Sequence, residues 1–281
     1  MTTRTQEEKK LLLLLILLIH FAYKGGIGKS LWTMLNIFVI SLYCKKQSMT
    51  IFDADLGVKT TTTLHEKLYE VRVDVSASED RSRLYEMDVI FDEFSKKQVV
   101  IMDTNAGAVT PLGYYWGETG HDVAQELGVT PIGLQPVVRS KESFLEAIDA
   151  IERFSKDFHL IIGKNLNGTR NDRNLWTEFA GQPSIRKISS KLQKLIDDTP
   201  NVYEVFIPEL PADTYSRLLN EGIPLEVALS KSSKLRFAER IRLRNLVNTY
   251  VQEFTPILNA IGVLPKQQKP YEQTTTKKNP K

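Results

Sequence analysis

Residues 23–30 read Tyr-Lys-Gly-Gly-Ile-Gly-Lys-Ser. Three glycines, two lysines and a hydroxyl in eight positions are what a polyphosphate needs. Glycines let backbone N–H groups approach phosphate oxygens with no Cβ in the way, and a helix starting there adds partial positive charge. The donors would be the amides of Gly25, Gly26, Ile27, Gly28, Lys29, Ser30 and Leu31. Lys29 supplies a point charge at the β/γ phosphates, and the Ser30 hydroxyl can ligate Mg²⁺.

Such a loop works only between a strand and a helix. Residues 11–19, LLLLLILLI, precede it, and an apolar helical stretch over 31–42 follows. A membrane-spanning helix needs about 20 apolar residues, so the run is too short. Glu7, Glu8, Lys9 and Lys10 before it, and a Gly/Lys loop after it, do not make a signal peptide. A buried central strand is expected.

Two further segments carry carboxylates at the ends of apolar runs: Thr50-Ile51-Phe52-Asp53-Ala54-Asp55-Leu56-Gly57 and Val99-Val100-Ile101-Met102-Asp103-Thr104-Asn105-Ala106-Gly107. A carboxylate at a strand's C-terminal end, facing a magnesium triphosphate, can hold the metal through water or orient an attacking water.

The common pattern GxxxxGK[ST] would place glycine at position 23, where this chain has tyrosine, while Lys24 is an added lysine. This variant resembles the deviant Walker A motif of the ParA/MinD family of ATPases. The segment 53–57 is similar to that family's DxD element, and 99–107 to a Walker B strand with its switch II turn. The resemblance covers about residues 11–230.

It implies that Lys24 reaches the phosphates of a second subunit in a nucleotide-sandwich homodimer. It also implies that Asp55 orients water, Asp53 supports Mg²⁺, Asp103 holds Mg²⁺ through water, and the Gly107 amide meets the γ-phosphate. Asn165 resembles the family's adenine-edge asparagine, with Asn167 as a competitor. Phe-Ile-Pro-Glu-Leu at 206–210, with Pro208, resembles the base-contacting loop. ATP and Mg²⁺ are the implied cofactors.

Short apolar runs at 131–138, 160–162 and 202–207 alternate with amphipathic stretches at 143–154 and 185–196. Such alternation implies βαβ units. The expected fold class is α/β, a three-layer P-loop NTPase fold with a mostly parallel central sheet flanked by helices. Residues 1–10 are a polar extension, 11–264 one domain, and 265–281 (KQQKPYEQTTTKKNPK from 266) a polar tail that cannot bury a core.

The 281 residues hold 42% hydrophobic and 25% charged side chains, with a net charge of +3 too small to argue for nucleic acid by itself. Cys44 is the only cysteine. That excludes an internal disulfide, a thiolate zinc site and the cysteine-dependent branches of the family, and fits a reducing, cytoplasmic compartment. The four histidines show no metal-ligand spacing.

A basic run on a helix expected over 233–258 includes Lys234, Arg236, Arg240 and Arg244, a candidate face for non-specific DNA and for nucleoid association. Tyr114, Tyr115 and Trp116 are either a docking surface or packed against the body. The implied role is a slow, partner-stimulated ATPase. It would act as a dimerisation switch in plasmid or DNA partition, stability or conjugative mobilisation, with a DNA-binding adaptor or relaxase as partner. The alternatives are a metabolic ligase of the same fold and a MinD-like positioning ATPase.

Overall fold

The computed structural model describes residues 15–21, 28–55, 59–73, 87–105, 107–169, 171–173, 176 and 183–264. The expected extension and tail, and Lys24, Gly25, Gly26 and Ile27 of the loop, lie outside these.

Among the described residues seven strands form one sheet: β1 (Leu15–His20), β2 (Met49–Asp53), β3 (Glu70–Arg72), β4 (Val99–Asp103), β5 (Val129–Val137), β6 (His159–Asn165) and β7 (Val202–Ile207). Their order is β3-β2-β4-β1-β5-β6-β7, and every pairing is parallel. Parallel strands need crossovers, and helices supply them. Along the chain come α1 (Lys29–Ser41), α2 (Thr60–His65), α3 (Asp88–Asp92), α4 (Val109–Tyr115), α5 (His121–Leu127), α6 (Lys141–Phe154), α7 (Pro183–Asp198), α8 (Ala212–Glu221), α9 (Leu225–Ala228) and α10 (Phe237–Ile261).

The helices form two layers, because the strands are apolar on both faces. Leu17, Ile19, Val100, Met102, Leu160 and Ile162 pack with Phe91, Leu112, Phe144, Ile151 and Leu192 of α3, α4, α6 and α7. Ile16, Leu18, Ile51, Ile101 and Ile161 pack on the opposite face with Trp32, Leu35, Leu218, Leu225, Leu243 and Phe254 of α1, α8, α9 and α10. This is the three-layer α/β fold the alternating runs predicted.

Local sequence explains the helices it builds. α6 starts at Ser140, whose hydroxyl accepts the Ser143 amide at 3.2 Å, an N-cap that satisfies one orphan donor. Phe144, Ala147, Ile148, Ile151 and Phe154 then follow at three- and four-residue spacing and are all buried. α1 differs, with eight of its 13 residues buried between the sheet and α10.

The helix expected from 233 begins at Phe237, and Arg236 is its N-cap. Residues 230–236 are instead held as an ordered turn. Arg217 donates to the Lys234 carbonyl at 3.1 Å. Arg240 donates to the carbonyls of Ser230 and Lys231, both at 3.2 Å, and Arg244 to that of Leu229 at 3.3 Å. Carbonyls at the end of α9 lack intrahelical partners, and guanidinium groups satisfy them.

Candidate nucleotide site

In parallel sheets of this kind ligands bind outside the carboxyl ends of the strands, where the strand order reverses. Here the chain leaves β1 toward β2 on one side, and later leaves β4 toward β5 on the other. Side chains alternate between sheet faces with period two. On the α1 face the pattern is Ile16, Leu18, His20 in β1; Met49, Ile51, Asp53 in β2; and Val99, Ile101, Asp103 in β4. Asp103 pairs in register with both His20 and Asp53. Two apolar steps followed by a polar one, in three neighbouring strands, set a polar row at the sheet's carboxyl edge under the start of α1.

Both carboxylates of the row are partnered. Asp103, 1% exposed, forms an ion pair with Lys29 through Oδ1, and its Oδ2 accepts the Thr61 hydroxyl at 2.5 Å. Asp53, also 1% exposed, accepts the Thr62 amide and hydroxyl, both at 2.8 Å, and the Asp55 amide at 3.3 Å. Burial raises the Asp53 carboxyl above its ordinary range and Asp103's charge adds to this; the donations from Thr62 and Asp55 oppose it. Asp55 is half-buried at the same edge.

Gly28 precedes α1 at φ +85°, ψ 17°, with no side chain capping the helix and no acidic residue in its first turn. The first intrahelical bond runs from the Trp32 amide to the Gly28 carbonyl at 3.1 Å. The amides of Lys29, Ser30 and Leu31 therefore precede the ladder, an arrangement suited to an anion. Asn165, from the end of β6, lies directly against Gly28: a Cβ there would stand 2.3 Å from the Asn165 Nδ2. The Asn165 Oδ1 accepts the Asn167 amide at 2.9 Å.

The residues present fit the implied groups. Ser30, Asp53 and Asp103 are hard oxygen donors of the kind magnesium takes. The uncapped helix start, Lys29 and a glycine with no room for a Cβ fit a polyphosphate. Gly107, at φ +87°, follows β4 in the turn expected of it.

A cavity of about 360 Å³ opens at the carboxyl ends of β6 and β7, lined by Leu166, Asn171, Arg173, Phe206, Pro208 and the α10 residues Arg242, Asn245, Leu246, Thr249, Tyr250 and Glu253. Pro208 is thus in its wall; the asparagines that line it are Asn171 and Asn245, not Asn165 or Asn167.

Sequence reading passed over Thr61 and Thr62, although the run Thr60–Thr63 follows the carboxylates closely. It also passed over His20, Asn36, Asn171 and Tyr250, which chain position alone does not relate. The aromatic cluster divides: Tyr115 and Trp116 are buried against Phe91 and Phe158, and Tyr114 is 49% exposed. Among the described residues no helix is long and apolar enough to cross a membrane.

His65, on α2 one turn beyond Thr61, is 1% exposed, and neither ring nitrogen has a hydrogen-bond partner among the described residues. Burial lowers its pKa to about 4, with Lys46 adding to this and Asp103 opposing it. Well above pH 6.5 neither the folded nor the unfolded ring binds a proton. As pH falls through 6.5 the unfolded chain takes up a proton that the folded one refuses, so stability is lost down to about pH 4, by about 2 kcal/mol at pH 5. His65→Leu removes that loss and the unpartnered nitrogens together. Urea unfolding should show the variant's gain at pH 5 exceeding its gain at pH 7.5 by about 2 kcal/mol; equal gains would refute the assignment.

No protein-family model matches the chain, and no curated protein matches it. Among solved structures it is similar to a ParA family ATPase from Chlorobium tepidum TLS (15% identity, 84% of this chain and 98% of that one, TM-score 0.47). It is similar also to the MinC:MinD cell division complex of Aquifex aeolicus (15%, 84% and 96%, TM-score 0.46). A third is an ATP complex of McdA from Cyanothece (14%, 91% and 99%, TM-score 0.46). At such identities these likenesses carry no part of the functional reading, which rests on the residues of this chain and the edge of the sheet they share.

Proposed function

We propose that this chain is a Mg²⁺-dependent ATPase of the ParA/MinD kind, working as an ATP-driven dimerisation switch for a DNA or partner cargo. The observation that carries the reading is the row Asp53–Asp103–Lys29 beneath the uncapped start of α1, with Gly28 closed in by Asn165.

Lys29 and the amides of Lys29, Ser30 and Leu31 bind phosphate oxygens. To do so Lys29 exchanges its present partner, Asp103, for phosphate. Ser30 and Asp103, with Asp53 behind them, hold the metal, which when bound neutralises charge developing on the phosphates. Asp55 orients the attacking water at the same edge. Lys24 enters from the second subunit, so hydrolysis waits on dimerisation. The cavity by Pro208 takes the base, with Asn171 and Asn245 in its wall.

A separate DNA-binding adaptor or relaxase is the proposed partner, and the cytoplasm, at the nucleoid, the proposed location. Arg240 and Arg244 hold carbonyls of the α9–α10 turn, so Lys234 and Arg236 are the more available part of the basic run for phosphate contacts.

The test is gel filtration with ATP and Mg²⁺, alongside phosphate release. The wild type should hydrolyse slowly and dimerise in part, and Asp55→Ala should accumulate as dimer with release at least tenfold lower. A wild type that neither binds ATP nor dimerises removes the proposal.

A further inference from the structure

We propose that His20, Asn36 and Tyr250 are positioning residues, a hydrogen-bonded chain that ties the wall of the cavity on α10 to the first residue of α1. The proposal rests on the nucleotide reading above and adds to it how the two ends of the site communicate.

The direction of every bond in this chain is set by its chemistry. An indole only donates, and Trp32 Nε1 donates to the Tyr250 hydroxyl at 2.6 Å. Tyr250 in turn donates to Asn36 Oδ1. The Asn36 amide nitrogen donates to His20 Nε2 at 3.2 Å, which must therefore accept. The His20 proton then sits on Nδ1, 2.5 Å from the Thr33 hydroxyl oxygen. Thr33 passes its own hydrogen to the Lys29 carbonyl at 3.1 Å. All five side chains are at most 1% exposed.

In so dry a setting an unpaired polar atom is penalised heavily, so a network of this kind shifts as a unit or not at all. A proton on His20 Nε2 would face the Asn36 N–H₂ and break the sequence. The carbonyl of His20 accepts the Thr104 hydroxyl at 2.6 Å, so the residue following Asp103 is fastened to the same histidine.

Tyr250 belongs to both systems, lining the cavity with Pro208, Phe206 and Thr249 while holding Asn36. What fills the cavity bears on Tyr250, and through the chain on the backbone that carries the phosphate-binding lysine. The coupling is therefore visible in binding of a ligand that cannot enter the cavity.

The experiment titrates Mg-ATP and Mg-tripolyphosphate, which has no base, into wild type, Tyr250→Phe and Tyr43→Phe. Tyr43 is the control: its hydroxyl is 3.1 Å from that of Thr255, another contact from the end of α1 to α10, outside the chain. Tyr250→Phe should bind tripolyphosphate at least fivefold more weakly than wild type, while Tyr43→Phe stays within twofold, whatever each does to the melting temperature. Nitrogen-15 spectra should show the wild-type His20 ring neutral with its proton on Nδ1.

If Tyr250→Phe fails to fold, Thr33→Val breaks the chain at its other end, and Thr33→Ser should restore tripolyphosphate binding. Unchanged binding in the chain-breaking variant, or a His20 proton on Nε2, overturns the inference while leaving the nucleotide reading intact. A wild type that binds neither ligand overturns both.

Discussion

Asp103→Asn is expected to bind ATP about tenfold more tightly than wild type when magnesium is withheld, and to hydrolyse it at least 10³-fold more slowly when magnesium is supplied. The opposite signs come from one side chain with two duties. Asp103 neutralises Lys29, and both are largely removed from water, at 2% and 11% side-chain exposure. A triphosphate must take Lys29 from that pair while bringing its own negative charge toward the carboxylate. Two like charges 4 Å apart repel by about 4 kcal/mol at an effective dielectric of 20, so a tenfold gain, about 1.4 kcal/mol, is a modest fraction of what is relieved.

Asparagine keeps the shape and can still accept the Thr61 hydroxyl, but it supplies no charge to a metal. The free variant should also melt earlier, because an uncompensated buried ammonium remains, and ATP should recover that loss. Calorimetric titration with and without magnesium, beside phosphate release, tests both signs. Hydrolysis within tenfold of wild type would remove Asp103 from the metal site. Metal-free binding weaker than wild type would mean that the ion pair does not compete with phosphate.

How much of this was legible beforehand depended on whether the signal was local. The strands at 99–103 and 202–207 stood out because an apolar run flanked by helical periodicity has few other uses, and both lie where expected. The placement of Asp53 and Asp103 followed from the same pattern: a carboxylate ending such a run must emerge at the carboxyl edge. Thr61 and Thr62 were not legible, since a four-threonine run favours strand or turn on propensity alone. Their helix exists because Asp53 holds the amide and hydroxyl of Thr62 at its first turn. The start of α10 was misplaced by a few residues for a related reason. Ser233 is a better N-cap by type, yet Glu239 accepts the Arg236 amide at 2.9 Å and three arginines hold the preceding turn. The bond from Trp32 to Tyr250 joins residues 218 positions apart, and no periodicity reports on such a pair.

Gly28→Ala should lower ATP affinity by about 10³-fold with the sheet intact, and the reason separates into two parts that a second substitution can resolve. At φ +85° an alanine is strained by about 1–2 kcal/mol; the free helix start escapes that strain by relaxing, and binding must restore it, which accounts for roughly tenfold. The remainder is steric, since the new methyl would stand 2.3 Å from the Asn165 Nδ2 and 3.4 Å from its Cγ. Asn165 is 5% exposed and held by the Asn167 amide, so it cannot swing aside without losing that bond. The displaced atoms are therefore those of the helix start, and with them the amides of Lys29, Ser30 and Leu31 that meet the phosphates. In the Gly28→Ala background, Asn165→Ala should restore affinity at least tenfold. In the wild-type background the same change should leave affinity unchanged or lower it, so the sign of its effect reverses. Residues that do not touch give additive free energies. If Asn165→Ala acts alike in both backgrounds, the packing of that carboxamide on Gly28 is absent in solution, and with it the closed glycine on which the phosphate end is built.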